Sequence, residues 1–230
     1  MSDIRIESRV APNFSGGDGG LQAVQGDRLG AIFTLDELRR LQQGGYGYVV
    51  NGGVGTTPIT FAGAYDADGP DFHLHIPSLT TVIPTGITVL YDAVGTEATM
   101  EILALASNTG DSTATGTAAT PKNLHIGSAN TSNCTATVAV DAAGVTDPNA
   151  GSFFEFWRNG RPLTDTVATT ENDRHELRWS WSVWNDGPLV TIDGNASGGS
   201  CLAVYCASQA GTGFIIVSYV EVPTTWVSVT

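Results

Sequence analysis

His73 and His75 come closest, among the residues of this sequence, to the spacing of a metal-binding pair. Side chains two positions apart on a β-strand lie on the same face, so the two imidazoles could bind one metal ion together. Asp71 would share that face and could act as a third ligand, and so could a residue from a second copy of the chain. The simpler interpretation is an outward-facing polar row on a half-buried strand, so we predict no metal ion and no other cofactor.

Pairs of carboxylates are the next candidates, because a glycosidase needs two carboxyl groups that face a cleft wide enough for a sugar. Glu155 lies within the aromatic stretch 153–157, and Glu176 precedes Trp179. Aromatic residues at a spacing of two in a strand are typical of a core, with the charged residues between them in solvent. We therefore interpret both segments as structural strands and not as a catalytic cleft.

Other catalytic and binding patterns are incomplete. His125 and His175 are isolated in the sequence, and no Gly-x-Ser-x-Gly motif marks a nucleophilic serine. The glycine-rich stretches lack the Gly-Lys-Ser/Thr ending of a phosphate-binding loop. The segments 66–69 (Asp-Ala-Asp-Gly) and 193–195 (Asp-Gly-Asn) resemble loose calcium loops but have too few ligands for an EF-hand, so we predict hairpin turns. Together these patterns predict that the chain is not an enzyme.

The elements that would position these residues are almost all β-strands. From residue 46 onward, short runs rich in β-branched and aromatic residues alternate with clusters of Gly, Pro, Asn and Asp. The predicted strands are 46–50, 58–65, 71–76, 86–94, 98–107, 120–126, 133–140, 152–158, 174–183, 188–192, 200–207 and 213–222. Segments 98–107 and 213–222 are apolar on both faces, which predicts strands that lie between two layers or under another subunit. So many short strands at regular spacing indicate an all-β sandwich or barrel.

One short helix is predicted before the first strand. Thr34 and Glu37 have the spacing of a capping box, and the apolar pattern that follows stops at Gly44, which predicts a helix over 35–43. Residues 1–30 include the run Asn-Phe-Ser-Gly-Gly-Asp-Gly-Gly, which cannot build part of a core, so we predict a flexible N-terminal arm there. Residues 31–230 are predicted to form a single β-sandwich domain.

The composition limits the partners of the chain. Charged residues make up 14% of the 230 residues and the net charge is −13, whereas ordinary soluble domains have about 25% charged residues. Nucleic acids and anionic membranes attract clustered Lys and Arg, and the nearest cluster is Arg39-Arg40, so we predict direct binding to neither. Interface cores are depleted in charged groups, so a surface this poor in charge favours assembly with other protein chains.

Cys134, Cys201 and Cys206 form an odd set without the spacing of metal ligands. Positions 201 and 206 point to opposite faces of one strand, which disfavours a disulfide between them. We predict three buried thiols in a reducing compartment. The first residues lack the apolar region of a signal peptide, and no apolar run reaches the ~20 residues that cross a bilayer, so we expect synthesis in a cytoplasm.

Two longer stretches have a recognisable pattern of strands and turns. The first is Thr-Thr-Pro-Ile-Thr-Phe-Ala-Gly-Ala-Tyr-Asp at 56–66, continuing through Ile76-Pro77 to Ile-Pro-Thr-Gly-Ile-Thr-Val at 83–89. The second is Gly-Gly-Ser-Cys-Leu-Ala-Val-Tyr-Cys at 198–206, followed by Gly-Thr-Gly-Phe-Ile-Ile-Val-Ser-Tyr-Val-Glu at 211–221. Together they resemble jelly-roll structural proteins of tailed bacteriophages, of the minor-capsid, decoration or vertex kind. The resemblance implies an eight-stranded jelly roll with extra strands, assembly around a three-fold or five-fold position, and no enzyme activity.

We therefore expect a virion structural protein, a minor capsid, decoration or vertex component that is synthesised in the host cytoplasm and located in the virion. Its expected partners are copies of itself, in a trimer or pentamer, and other capsid or tail proteins. The alternative is a receptor- or carbohydrate-binding head of a viral fibre or tail, with its function in loops 108–120 and 141–150 and in the turn 184–187. Trp184 is the tryptophan best placed for stacking on a sugar, because the turn after it would expose its ring.

Overall fold

The computed structural model describes residues 37–94, 99–162, 178–207 and 210–227. The chain divides into two compact units, Met1–Arg40 and Leu41–Thr230. The predicted arm at 1–30 lies outside the described residues, and so do His175 and Glu176. In the described part of the chain, no helix combines the length and the apolar character needed to cross a membrane.

The first described element is a short helix, as the sequence predicts. α1 spans Glu37–Leu41, and the chain then makes one π-helical turn over Gln42–Tyr46. Within α1, the Arg40 guanidinium lies 2.6 Å from the Glu37 carboxylate, one turn away on the exposed surface. Gly45 has a φ of 85° near the end of the turn, a left-handed conformation that glycine adopts without a steric penalty.

The rest of the described chain consists mainly of strands joined by turns. The strands are β1 (Gly47–Gly52), β2 (Ile59–Phe61), β3 (Phe72–Ile76), β4 (Thr80–Val94), β5 (Thr99–Ser107), β6 (Thr117–Ala119), β7 (Lys122–Asn123), β8 (Thr135–Val138), β9 (Phe153–Pro162), β10 (Arg178–Ser182), β11 (Ile192–Asp193), β12 (Ser200–Ala207) and β13 (Gly211–Pro223). Single 3₁₀ turns at Pro148–Ala150 and Thr224–Trp226 complete the described elements.

Most predicted strands are present, but several of their ends differ. β4 begins at Thr80, before the predicted 86, because it pairs with β13 along its whole length and with β10 and β11 on its other side. The predicted strand 58–65 shortens to β2, 188–192 contributes only β11, and 120–126 is replaced by the short strands β6 and β7. Residues 174–177 lie outside the described residues. Strand length thus follows the partners available in the sheet and not only the local pattern.

The strands form a jelly-roll β-sandwich of two antiparallel sheets. In the described chain, one sheet has the order β10-β4-β13-β1-β7, with β11 beside β4 and β2 beside β13, and the other has the order β6-β8-β3-β12-β5-β9. Eight of these strands form the two Greek keys of a jelly roll: β1, β13, β4 and β10 in the first sheet, and β3, β12, β5 and β9 in the second. The predicted fold class, an all-β jelly-roll-like sandwich with one short helix, is confirmed.

The core lies between the two sheets and takes alternate residues from each strand. Ile87, Val89 and Val217 are fully buried on the inner face of the first sheet, and Leu74 and Val204 on that of the second. Ile87 on β4 pairs with Val217 on β13. Because side chains alternate along a strand, the residues two positions away on each strand also point into the core.

The outer face of the second sheet is also buried, and loops of the same chain cover it. Leu103, Leu105, Ala203 and Tyr205 form a separate apolar cluster on this face. The Tyr205 hydroxyl donates a hydrogen bond of 2.8 Å to the carbonyl oxygen of Ala67 in the loop before β3. The prediction that 98–107 lies between two layers is therefore confirmed, and the second layer consists of loops.

Candidate functional site

The exposed edge formed by β9 is the strongest candidate for a functional surface. β9 pairs with β5 on one side, and no described strand pairs with it on the other. Phe153 and Phe154, the first two residues of the strand, are 48% and 50% exposed. The interpretation of the aromatic residues in 153–157 as core is therefore wrong for these two, although it is right for Trp157, which is 8% exposed. The N-terminal end of the β9 edge is therefore apolar and exposed.

Glu155 belongs to the same edge and is held by an arginine. The Nε and Nη2 atoms of Arg158 each lie 2.7 Å from one oxygen of the Glu155 carboxylate, and Nη1 lies 3.5 Å from Glu101. A carboxylate bound on both oxygens by a guanidinium is poorly suited to donate a proton or to attack a sugar. The geometry of Glu155 therefore does not support the glycosidase alternative, and Glu176, its possible partner, lies outside the described residues.

The polar row of β3 is buried, so the prediction that it faces solvent is wrong. Asp71, His73 and His75 are 3%, 1% and 7% exposed. His75 lies directly beneath the backbone of Gly199, since a Cβ atom built on that glycine would lie 2.3 Å from the Cε1 atom of His75. The backbone at Gly199 therefore covers this end of the row.

His73 and His75 share a face, as the spacing predicts, but Asp71 does not join them as a third ligand. Burial lowers the pKa of His73 to about 4 and lowers that of His75 as well, so both imidazoles are neutral at pH 7. The Asp71 carboxylate accepts hydrogen bonds from the backbone N–H groups of Ala62 and Cys206, at 2.8 and 2.7 Å. Among the described residues, no group of three His, Cys, Asp or Glu side chains could hold a metal ion.

The remaining histidine and the cysteines have structural surroundings. The Nδ1 atom of His125 donates a hydrogen bond of 2.9 Å to the carbonyl oxygen of Gln43. Cys134, Cys201 and Cys206 are buried free thiols, which confirms that part of the prediction. Burial raises the pKa of each thiol, so none of them is a reactive thiolate at neutral pH.

The two segments that resemble calcium loops lie at turns, but each connects a strand of the first sheet to a strand of the second, so the prediction of hairpin turns is wrong. The Gly69 N–H donates a hydrogen bond of 3.1 Å to the Asp66 carbonyl oxygen. In the second turn, the Asp193 carboxylate accepts a hydrogen bond from the hydroxyl of Thr81. The Nδ2 atom of Asn195 donates a hydrogen bond of 3.1 Å to the carbonyl oxygen of Asn108. The side chains of Asp193 and Asn195 therefore form hydrogen bonds to other segments of the chain.

Gly194, in the second turn, is expected to tolerate no side chain. A Cβ atom at this position would lie 1.8 Å from the Pro77 carbonyl oxygen, which belongs to rigid backbone. Gly194→Ala is therefore expected to lower the free energy of unfolding by about 2 kcal/mol. Chemical denaturation measures this, with Gly44→Ala as the matched control, because a Cβ at Gly44 would make only ordinary contacts from 3.6 Å. Equal stability of the two variants would contradict the expectation.

The loops predicted to carry a binding function are tied to each other. In loop 108–120, the Thr115 N–H donates to the Gly144 carbonyl oxygen at 2.9 Å, and Thr115 accepts from the Asp141 N–H at 3.1 Å. These bonds join it to loop 141–150. Trp184, in the other predicted binding turn, is 37% exposed, as expected.

One open cavity in the described part of the chain was not predicted from the sequence. Its volume is about 360 Å³, and it lies where β13 ends and β4 begins. The lining residues are Tyr46, Tyr48, Leu79, Thr80, Ala129, Asn130, Thr131, Asn133, Glu221, Val222 and Pro223. They come from four separate segments of the chain, so no local motif could have indicated the cavity.

Comparisons with known proteins assign no family to the chain. No family model matches it, and no curated protein matches it significantly. Among solved structures, the crystal structure of the infectious bursal disease virus VP2 subviral particle matches with 16% sequence identity and a TM-score of 0.20. That match covers 88% of this chain but 46% of the VP2 chain, so this chain spans about half the length of VP2. A likeness this weak carries no argument about function, and the jelly-roll assignment rests on the strand order alone.

Proposed function

We propose that this chain is a virion structural protein, a minor capsid, decoration or vertex component that acts by assembling with copies of itself and with other capsid or tail proteins. The observation that carries the proposal is the aromatic edge of β9. Soluble proteins usually protect an edge strand with lysine, proline, a bulge or a short length. β9 has a bulge at Phe156 and ends at Pro162, but it is ten residues long and its first two residues, Phe153 and Phe154, are half-exposed phenylalanines that neither feature covers.

The charge pattern along the same edge supports an interface. Beyond the phenylalanines, Glu155 and Arg158 form an ion pair at the surface. An apolar patch beside a polar, paired rim is the usual composition of a protein–protein interface. A ten-residue strand extends over roughly 33 Å, which is long enough to contribute to a contact of about 800 Å² per partner.

The remaining surface supports assembly as well. Only 14% of the residues are charged, so burying this surface desolvates few charged groups. In the described chain, the outermost strands of each sheet, such as β9, have a pairing strand on one side only. Loops of the chain cover part of the outer face of the second sheet. Assembly through an edge therefore uses a surface that the fold leaves open.

The mass of the full-length protein in solution, measured by light scattering at two concentrations, tests the proposal. We expect a trimer or pentamer for the wild type. Phe154→Asp is expected to reduce the mass to that of smaller species, because it places a charge in the proposed contact. Ile126→Asp is the matched control: Ile126 is 95% exposed and follows β7, at the opposite edge of the sandwich, and this variant should assemble like the wild type.

A wild type that is monomeric at both concentrations would contradict the assembly role. An oligomer that Phe154→Asp leaves intact would instead show that another surface mediates the contact. The alternative role, a receptor- or carbohydrate-binding head, has one observation in its favour, the half-exposed ring of Trp184 in the turn 184–187. A monomer whose tryptophan fluorescence changes with added glycans in the wild type but not in Trp184→Ala would favour that role.

A further inference from the structure

The open cavity beside the end of β13 contains a carboxylate that is almost completely buried. Glu221 is 5% exposed and lines the cavity. One of its oxygens accepts hydrogen bonds from the backbone and side-chain nitrogens of Asn133, at 2.8 and 2.9 Å. The other oxygen accepts one from the Ser132 hydroxyl, which also lies 2.9 Å from the Tyr219 hydroxyl. These bonds hold the carboxylate in a fixed orientation.

No positive charge within the described residues balances this carboxylate. The ion pairs of the described chain involve Glu37, Glu101 and Glu155, and none involves Glu221. Three hydrogen bonds stabilise the buried carboxylate but leave its negative charge without a counter-ion, so a cation bound beside it would lower the cost of burial further. The field of the carboxylate also reaches the cavity wall: burial, and next the charge on Glu221, raise the pKa of Tyr48 to about 12.

The side-chain amides of Asn130 and Asn133 add hydrogen-bond acceptors to the cavity wall. The Nδ2 atom of Asn130 donates to the Gly45 carbonyl oxygen at 3.2 Å, and that of Asn133 donates to Glu221. Among the described residues, no hydrogen bond reaches the side-chain oxygens of Asn130 and Asn133. Together with the Glu221 carboxylate, these oxygens form a group of acceptors that matches a ligand rich in N–H donors.

The aromatic and apolar parts of the wall also suit a cation with an alkyl chain. Tyr46 and Tyr48 line the cavity, and the Tyr46 ring packs edge-on against Trp226 at 5.2 Å. Aromatic faces attract ammonium and guanidinium groups through their quadrupole. Leu79 lines the rim of the cavity with a backbone φ of 65°. Its side chain is 78% exposed, so it can contact the alkyl chain of a ligand at the opening.

We propose that this cavity binds an organic cation with N–H donors, a primary ammonium or guanidinium group of the kind that lysine and arginine side chains carry. The ammonium group binds beside Glu221 and the asparagine oxygens, and the alkyl chain passes between the Tyr46 ring and Leu79. The net charge of −13 attracts such a cation from solution. This site is separate from the β9 edge, and it does not depend on the assembly role.

Titration of the full-length, ¹⁵N-labelled protein with Nα-acetyl-lysine methylamide tests the proposal by NMR. We expect saturable shifts of the backbone amide signals of Tyr46, Asn130 and Asn133. Nα-acetyl-norleucine methylamide keeps the aliphatic chain but lacks the ammonium group, and it should produce no such shifts. A neutral methyl glucoside should also leave these signals unchanged.

Two variants and one control assign the binding to the cavity. Glu221→Gln keeps the size of the side chain but removes its charge, and it should weaken binding at least about tenfold. Tyr46→Leu keeps the carboxylate and should weaken binding about threefold. Asp92→Asn removes one exposed acidic group near the far end of β4 and should bind like the wild type.

Three results would overturn the proposal: no shift with the lysine probe, equal shifts with the norleucine probe, or binding that Glu221→Gln leaves unchanged. A methyl glucoside that shifts the same signals when the lysine probe does not would show a sugar site instead. If Glu221→Gln does not fold, the comparison of the two probes on the wild type and the Tyr46→Leu variant still decides the question.

Discussion

Trp181→Ala is expected to lower the free energy of unfolding by about 4 kcal/mol. Trp181 lies on β10, is 1% exposed and is among the largest fully buried side chains of the described chain. Its ring contacts that of Phe156 on β9, with the ring centres 5.1 Å apart, so it joins the two sheets at one edge of the sandwich. The substitution removes this contact and leaves a cavity that the two sheets cannot close, because each is held by its own hydrogen-bond ladder.

Trp184→Ala provides the matched control for this prediction. It removes the same side chain three residues later, at a position that is 37% exposed, and should cost less than about 1 kcal/mol. Urea denaturation of both variants, followed by circular dichroism, measures the difference. Similar losses in the two variants would mean that Trp181 does not join the sheets as the structure indicates.

Asp71 is expected to make the stability of the protein fall as the pH rises from about 4 to about 7. Burial raises the pKa of this carboxyl to about 6 in the folded state, even though backbone N–H groups of Cys206 and Ala62 donate to it. In the unfolded chain the pKa is about 3.9. Between these values the folded state binds more protons, so its advantage is complete below about pH 4 and is lost as the pH rises through 6.

The difference between the wild type and Asp71→Asn isolates this effect from the other acidic residues. A difference of about two pKa units corresponds to roughly 3 kcal/mol. The free energy of unfolding of the wild type, minus that of the variant, should therefore decrease by about this amount between pH 4 and pH 7. Denaturation curves at four or five pH values measure it. A flat difference would show that the two N–H donors offset burial at this site, and a difference that rises with pH would show that they outweigh it.

Local sequence patterns were sufficient to place most of the strands. The alternation in β10 and β3 and the turn residues around them act over a few positions, and the backbone follows them wherever the sheet supplies a partner. The placement of Cys201 and Cys206 on opposite faces of β12 also follows from alternation alone. The start of β4 could not be predicted in this way, because β13 is the partner that extends it to Thr80, whereas its end at Val94 matches the prediction.

Burial of the outer faces could not be predicted from the sequence. His73 and His75 alternate with apolar residues, as they would on a half-exposed strand, yet both are buried. The cause is distant in the chain: Gly199 packs on His75, and the loop containing Ala67 packs on the same sheet. Phe153 and Phe154 show the reverse case, since they have a core-like pattern but lie on an edge strand.

The sequence by itself determined the all-β class, the positions of most strands and a surface with few charged groups, because each depends on composition or on neighbours along the chain. Tertiary structure alone decided which edge is exposed, which polar residues are buried and where Glu221, Asn130 and Tyr46 meet in one cavity. These features depend on contacts between segments far apart in sequence. A periodic pattern indicates which side chains share a face, but only the packed fold decides what covers that face.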